Sequence, residues 1–189
     1  MTEKQSLIVD TAVNLIAENG FKKLSMKKIA EEIGVSEPAL YRHFTGKQDI
    51  MMAILEKFEQ IAHNVISKIT DNNLQGLESI KTFILNRYSL FGQNPKLTKV
   101  MMSEDIFLYN DELADRMLSI MQNHKKLLLK SINEAEALGE IKPELEPAQL
   151  FRIIIGSMRF TINQWCMHNY NFDLKSEGEL LWKTLIIMM

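Results

Sequence analysis

Cysteine occurs once in this chain, at Cys166, so neither an internal disulfide nor a cysteine-based zinc finger can form. An excess of one charge is also missing: 22 Lys and Arg stand against 24 Asp and Glu, a formal net charge of −2. That balance excludes a uniformly basic nucleic-acid coat and leaves local patches open. No apolar run approaches the roughly 18 residues that a membrane span needs. The start, Thr2-Glu3-Lys4-Gln5, leads into a polar-apolar periodic stretch, without the unbroken apolar core of a signal peptide. A soluble, cytoplasmic chain is the expectation. Hydrophobic residues are 46 % and charged ones 24 % of the 189, which excludes wholesale disorder; the length suits one large domain or a small one joined to a larger.

Glycine and proline are scarce as well, 8 and 4 residues, so their positions carry information. Gly20, Gly34 and Gly46 divide the N-terminus into three short pieces, and each piece opens on a capping residue. Thr2 with Gln5 fits a capping box, and Ser25 and Ser36 precede the next two apolar patterns as N-caps. Gly20 and Gly34 stand where left-handed C-caps belong. These signals predict helices at about 3–19, 26–33 and 37–44. Ile50, Ile54, Phe58, Ile61, Val65 and Ile69 then mark one face of a helix of about six turns. Leu77, Ile80, Ile84, Tyr88 and Phe91 mark a fifth helix, stopped by Gly92 and Pro95. A short sixth covers about 96–108, and a long seventh runs from Leu113 to near Gly139. Pro147 opens an eighth through about His168, and a ninth runs from about Ser176 to the end. No sustained period-2 alternation predicts a sheet, and no fixed period predicts a solenoid. The expected fold is all-α with about nine helices: a three-helix N-terminal domain over 1–47, and a helical domain over 48–189.

Two short helices joined by a tight turn containing Gly34 have the helix-turn-helix signature. Ile29 and Ile33 are expected to face inward, Ala30 to let the next helix approach, and Val35 to plug the turn. Leu40 and Phe44, four apart, point the third helix into the core and leave Glu37, Pro38, Tyr41 and Arg42 outward. Pro38 is tolerated because the first turn needs no N–H there. Residues 21–47 hold six cations (Lys22, Lys23, Lys27, Lys28, Arg42, Lys47) and three acids, a local charge of +3 on an otherwise acidic chain. A basic end suits phosphate attraction, and the plain alternative is a solvated cationic face. Tyr41, Arg42 and His43 beside the Ser36-capped helix start can each donate to phosphate.

Gly20-Phe21, Ser25-Met-Lys-Lys-Ile-Ala30, Gly34-Val-Ser36, Ala39-Leu-Tyr-Arg-His-Phe44 and Lys47 resemble the DNA-binding domain of the TetR/AcrR family of bacterial transcriptional regulators. The resemblance covers about residues 5–55. It implies that Ser25, Tyr41, His43 and Lys47 contact the DNA backbone, and that residues near Glu37, Pro38 and Ala39 face base edges. Lys28 stands where that family commonly has an acid, so no capping box forms on Ser25. By base chemistry Glu37 suits a cytosine amino group and Pro38 or Ala39 a thymine methyl; Glu37 also suits the helix dipole.

The remaining chain has no motif of comparable sharpness. Helix eight is apolar nearly all round, with Ile153, Phe160 and Gly156 among its residues, and helix nine repeats this with Leu181, Leu185 and Met188. Two surplus apolar faces call for a partner, and a second copy supplies one. Those six are the candidate homodimer residues, the other reading being a central core helix of a monomer. The resembled family also dimerises through its last two helices. Candidate residues of an effector pocket are Phe58, Tyr88, Phe91, Met102, Phe107, Met117, Met121, His124, Met158 and Trp165, since Met among the aromatics adapts to irregular cavities; ordinary core packing is the competing account. His124 is read as a buried histidine or a ligand anchor, and Arg159 as internally paired or facing an anionic effector. No phosphate loop, nucleophile elbow or zinc-protease motif is present, and Cys166 and His168 point to nearly opposite sides of a helix. No enzyme, metal or cofactor is expected. The expected partners are a pseudo-palindromic double-stranded DNA operator, a second copy of the chain and a small hydrophobic or amphipathic effector that releases a repressor. The alternatives are an effector-independent, chromosome-organising or protein-recruiting factor of the same fold, and a protein-interaction module with an incidental basic face.

Overall fold

The computed structural model describes residues 1–103, 106–107 and 110–189. Its helices are α1 (Glu3–Asn19), α2 (Met26–Ile33), α3 (Glu37–Tyr41), α4 (Lys47–Asp71), α5 (Gly76–Gln93), α6 (Pro95–Met102), α7 (Asp111–Ala137), α8 (Pro147–Met167) and α9 (Leu174–Met188), with a 3-10 turn at Phe21–Lys23. There is no strand among the described residues, so the all-α expectation holds. No helix among them is long and apolar enough to cross a membrane.

The chain forms two compact units, Met1–Glu59 with Lys96–Met117, and Gln60–Pro95 with Leu118–Met189. The division falls inside α4 and inside α7, whereas the expected functional boundary at 47/48 coincides with the first residues of α4.

The first unit is organised by caps and glycines. Thr2 and Gln5 form the expected reciprocal capping box on α1. Gly20 takes positive φ but an extended ψ (81°, 156°), a region only glycine enters freely, rather than the left-handed cap expected of it. Gly34 does take the left-handed cap at φ 79°, ψ 34°, where its N–H reaches the Ala30 carbonyl. The core collects Ile8, Val9, Ala12, Ile16, Leu24, Ile29, Ala30, Leu40, Phe44 and Ile50, all buried. Three expectations need correction. Val35 does not plug the turn, being 43 % exposed; its backbone N–H instead reaches the Ala30 carbonyl at 3.0 Å. Ile33 is only half-buried. Helix α3 stops at Tyr41, not 44, because the His43 N–H turns back to Leu40 O at 2.8 Å and tightens the coil into a turn. Ion pairs Lys57–Asp10, Arg116–Glu59 and Lys96–Glu18 tie other helices of the unit to α1 and α4.

Helix α6 is shorter than the expected 96–108. Ser103 N–H bonds Val100 O, and Ile106 N–H bonds Ser103 O; positions 104, 105 and 108 of that expectation lie outside the described residues. Gly92 does not stop α5; it remains helical, and Asn94 is the C-cap.

The second unit is held by packing. Tyr88 of α5 is wholly buried and packs against Gly178 of α9, where an added Cβ would come within 2.9 Å of the Tyr88 Cγ. Helix α8 is capped by the Glu146 side chain, and α9 starts two residues earlier than expected because Asp173 accepts from the N–H groups of Lys175 and Ser176. Helix α5 has no cap from its own N-cap residue Gln75; Glu140 Oε2 accepts from Leu77 N–H at 2.8 Å, across Gly76 at φ 52°.

Candidate DNA-binding surface and apolar body

Helix α2 begins where Ser25 Oγ accepts from Lys28 N–H at 3.2 Å, which fixes the start of the helix-turn-helix. Ser36 is the N-cap of α3 by position and backbone (φ −76°, ψ 146°), but its hydroxyl caps nothing, so the expected side-chain cap is absent. The short α3 therefore depends on Leu40, 1 % exposed, for its seat. That seat turns the rest outward: Pro38 and Arg42 are exposed, Tyr41 is 50 % exposed, and Glu37, Ala39 and His43 are half-buried. Lys27 is exposed and stands 3.9 Å from Glu31, a surface pair of little energetic weight. Ser25, Ser36, Pro38, Tyr41 and Arg42 thus sit on the solvent side of the α2–α3 turn and its flanks. Lys47 differs from the others. Its Nζ donates to Phe21 O at 2.9 Å and stands 3.8 Å from the Phe21 ring centroid, and burial lowers its pKa below the usual lysine value. Phe21 was named only as part of the family resemblance; its partner lies 26 residues away and leaves no periodic signal.

The pocket candidates fall in both units. Phe58 is buried, and Met102, Phe107 and Met117 are half-buried, in the first. Tyr88, Phe91, His124, Met158 and Trp165 are buried in the second, while Met121 of α7 is 44 % exposed. Sequence reasoning missed the residue that organises part of this second group. Arg87 Nη1 lies 3.4 Å from His124 Nε2, and its guanidinium sits 4.7 Å from the Phe91 ring centroid. The His124 ring meets Phe83 edge-on at 6.1 Å. Burial draws the Arg87 pKa down to about 10, and burial, then the Arg87 charge, draws His124 down to about 3. His124 is therefore a neutral histidine at ordinary pH. The visible signal for Arg87 was its place among Phe83, Tyr88 and Phe91, a cation inside an aromatic stripe. Trp165 donates its indole N–H to Phe172 O at 3.0 Å. The Tyr88 hydroxyl faces Thr161 outside hydrogen-bonding geometry, and burial raises its pKa.

On α8, Ile153 is 43 % and Phe160 67 % exposed, with Gly156 open between them. On α9, Met188 is exposed and Leu181 half-buried. Leu185 is corrected: at 1 % exposure it belongs to the core of its own chain and offers nothing to a partner. Met167, Leu180 and Ile187, exposed on the same two helices, were not among the candidates. No group of three or more His, Cys, Asp or Glu able to hold a metal ion occurs among the described residues.

Two family models match, in tandem. Residues 8–54 match the bacterial regulatory proteins of the tetR family, and residues 54–188 match the YsiA-like protein C-terminal region. The fatty acid metabolism regulator protein of Bacillus subtilis is 28 % identical over 172 residues, 90 % of this chain and 88 % of its own. A solved structure of the Bacillus subtilis transcriptional regulator FadR, in complex with stearoyl-CoA, superposes with a TM-score of 0.79 at 27 % identity, covering 96 % of this chain and 97 % of that one. The nucleoid occlusion factor SlmA of Vibrio vulnificus is 23 % identical over 182 residues, 96 % of this chain and 93 % of its own. These relatives are regulators and a nucleoid factor rather than enzymes. With a helix-turn-helix seated on Leu40, a helical second unit and both halves matched, the chain belongs to the TetR/AcrR family of DNA-binding bacterial transcriptional regulators.

Proposed function

We propose that this protein is a homodimeric repressor whose residues 1–47 read a pseudo-palindromic operator and whose residues 48–189 dimerise and bind a long-chain fatty acyl-CoA that releases the DNA. The observation that carries the effector class is the likeness, over nearly the whole chain, to a regulator solved with stearoyl-CoA and to a regulator of fatty acid metabolism. The interior of the second unit agrees with an amphipathic ligand: Phe83, Ile84, Phe91, Ile154 and Met158 are apolar and buried, with Arg87 set among the rings. Dimerisation is supported by the exposed apolar side chains Ile153, Phe160, Met167, Leu180, Ile187 and Met188 on α8 and α9. Such a dimer sets two α3 helices on successive turns of one DNA face, which a five-residue helix needs to bind usefully. An effector that prefers one setting of α4 shifts operator affinity by its differential binding to the two states.

Fluorescence anisotropy tests this on a duplex enriched by the wild-type protein from a random library. Stearoyl-CoA is expected to weaken binding by about tenfold or more, a coupling of ordinary size, with free CoA inert. Tyr41→Ala should weaken binding about tenfold while leaving the oligomer intact. Phe160→Glu should sediment as a monomer and lose at least about a hundredfold in affinity. A second reading is favoured by the SlmA relatives: an effector-independent factor acting on the chromosome. Tight operator binding indifferent to stearoyl-CoA would select that reading over the repressor.

A further inference from the structure

Tyr88 of α5 lies wholly inside the second unit. Among the described residues its hydroxyl is the one buried side-chain nitrogen or oxygen that no hydrogen bond satisfies. The ring packs against Gly178 of α9, with no room there for a Cβ, and the hydroxyl faces Thr161 of α8. Thr161 already donates its own proton to the Ser157 carbonyl at 3.0 Å. Burial, and then the nearby Glu177 charge, raise the Tyr88 pKa above the usual tyrosine value, so the hydroxyl keeps its proton and can only be a donor to an incoming acceptor. Phenylalanine would fill the same space without the penalty of a buried hydroxyl left unbonded.

A long-chain acyl thioester poses the complementary problem. Its methylenes need only apolar surroundings, and buried Ile84 and Met158 stand one turn before Tyr88 on α5 and one turn before Thr161 on α8. Its carbonyl oxygen, taken into such an interior, loses water and needs a donor. Other side-chain donors of this unit are committed within the chain: Trp165 to Phe172 O, and Ser131 to Leu127 O. We propose that the Tyr88 hydroxyl donates to the thioester carbonyl of the bound acyl-CoA, and is the residue by which this interior tells an acyl thioester from a plain hydrocarbon chain. The inference rests on the acyl-CoA reading above and adds the group that recognises the head of the chain.

The test is a cycle on the full chain between one protein group and one ligand group. Isothermal titration calorimetry compares stearoyl-CoA with S-octadecyl-CoA, in which a methylene replaces the carbonyl, on wild type and on Tyr88→Phe. Wild type should bind the thioester about three- to thirtyfold more tightly than the thioether, and Tyr88→Phe should bind the two within about twofold. Urea unfolding without ligand should place the Tyr88→Phe midpoint at or above that of wild type, because the hydroxyl removed has no partner to lose. A lower midpoint, or failure to fold, would reveal a bond within the chain and overturn the proposal. A thioester preference that survives in Tyr88→Phe, or none in wild type, overturns it too and leaves the acyl-CoA reading standing. Wild type that binds neither ligand overturns both.

Discussion

The helix-turn-helix and the start of α5 in the second unit set their helix ends differently. In the helix-turn-helix the caps are local: Thr2 with Gln5, Ser25 with Lys28, and Gly34 turning back to Ala30 each act within five residues. Around α5 the defining contacts are remote: Tyr88 on Gly178, Glu140 on Leu77, and Arg87 on His124. Local devices permit a small unit with much of its polar surface free for a ligand such as DNA. Remote packing gives an interior whose contents are set by side-chain volume.

Substitutions at matched positions would sharpen this contrast. Gly178→Val places branched carbons where the Tyr88 ring already lies, and should cost about 2–3 kcal/mol in urea unfolding. Tolerance of valine there would show that α5 and α9 can part freely. The next effect is on pH. Because His124 is held neutral with its pKa near 3, the unfolded chain takes up a proton below about pH 6.5 that the folded chain refuses. Stability therefore falls as pH drops through that window. Between about pH 7 and 5, wild type should lose roughly 1–2 kcal/mol more than His124→Phe. Equal losses would place His124 in contact with water. The smallest effect lies in the first unit, where Ser25→Ala should cost about 1 kcal/mol. Hydrogen exchange should register that loss in α2 and leave α8 untouched; a loss spread through both units would break the distinction drawn here.

The same contrast explains what could be read from the residues alone. Helix starts at Thr2, Ser25 and Pro147 were legible because a cap is a chemical event within one turn of the chain. The end of α3 was not, because Leu40 and Phe44 fit a helical spacing equally well whether the intervening residues form a helix or a tight turn. Val35 reads as apolar and inward, yet a left-handed glycine just before it re-aims the chain. Leu185 stands at helical spacing from half-buried Leu181 and exposed Met188, and only the packed unit shows which of them lies inside. Lys47 was visible as a cation and invisible as a partner of Phe21. Arg87 went unnoticed although Phe83 and Phe91 share its helix, because its partner His124 lies 37 residues away on α7.

The cap that Glu140 lends to α5 has a consequence for the order of events during synthesis. Helix α5 is complete only when a carboxylate 63 residues beyond Leu77 has left the ribosome, and its strongest neighbour, α9, is made later still. The helix-turn-helix needs nothing past α4 for its own caps. A chain stalled before residue 140 is thus expected to carry an ordered helix-turn-helix and a protease-sensitive α5, a state that lacks the exposed apolar faces of α8 and α9.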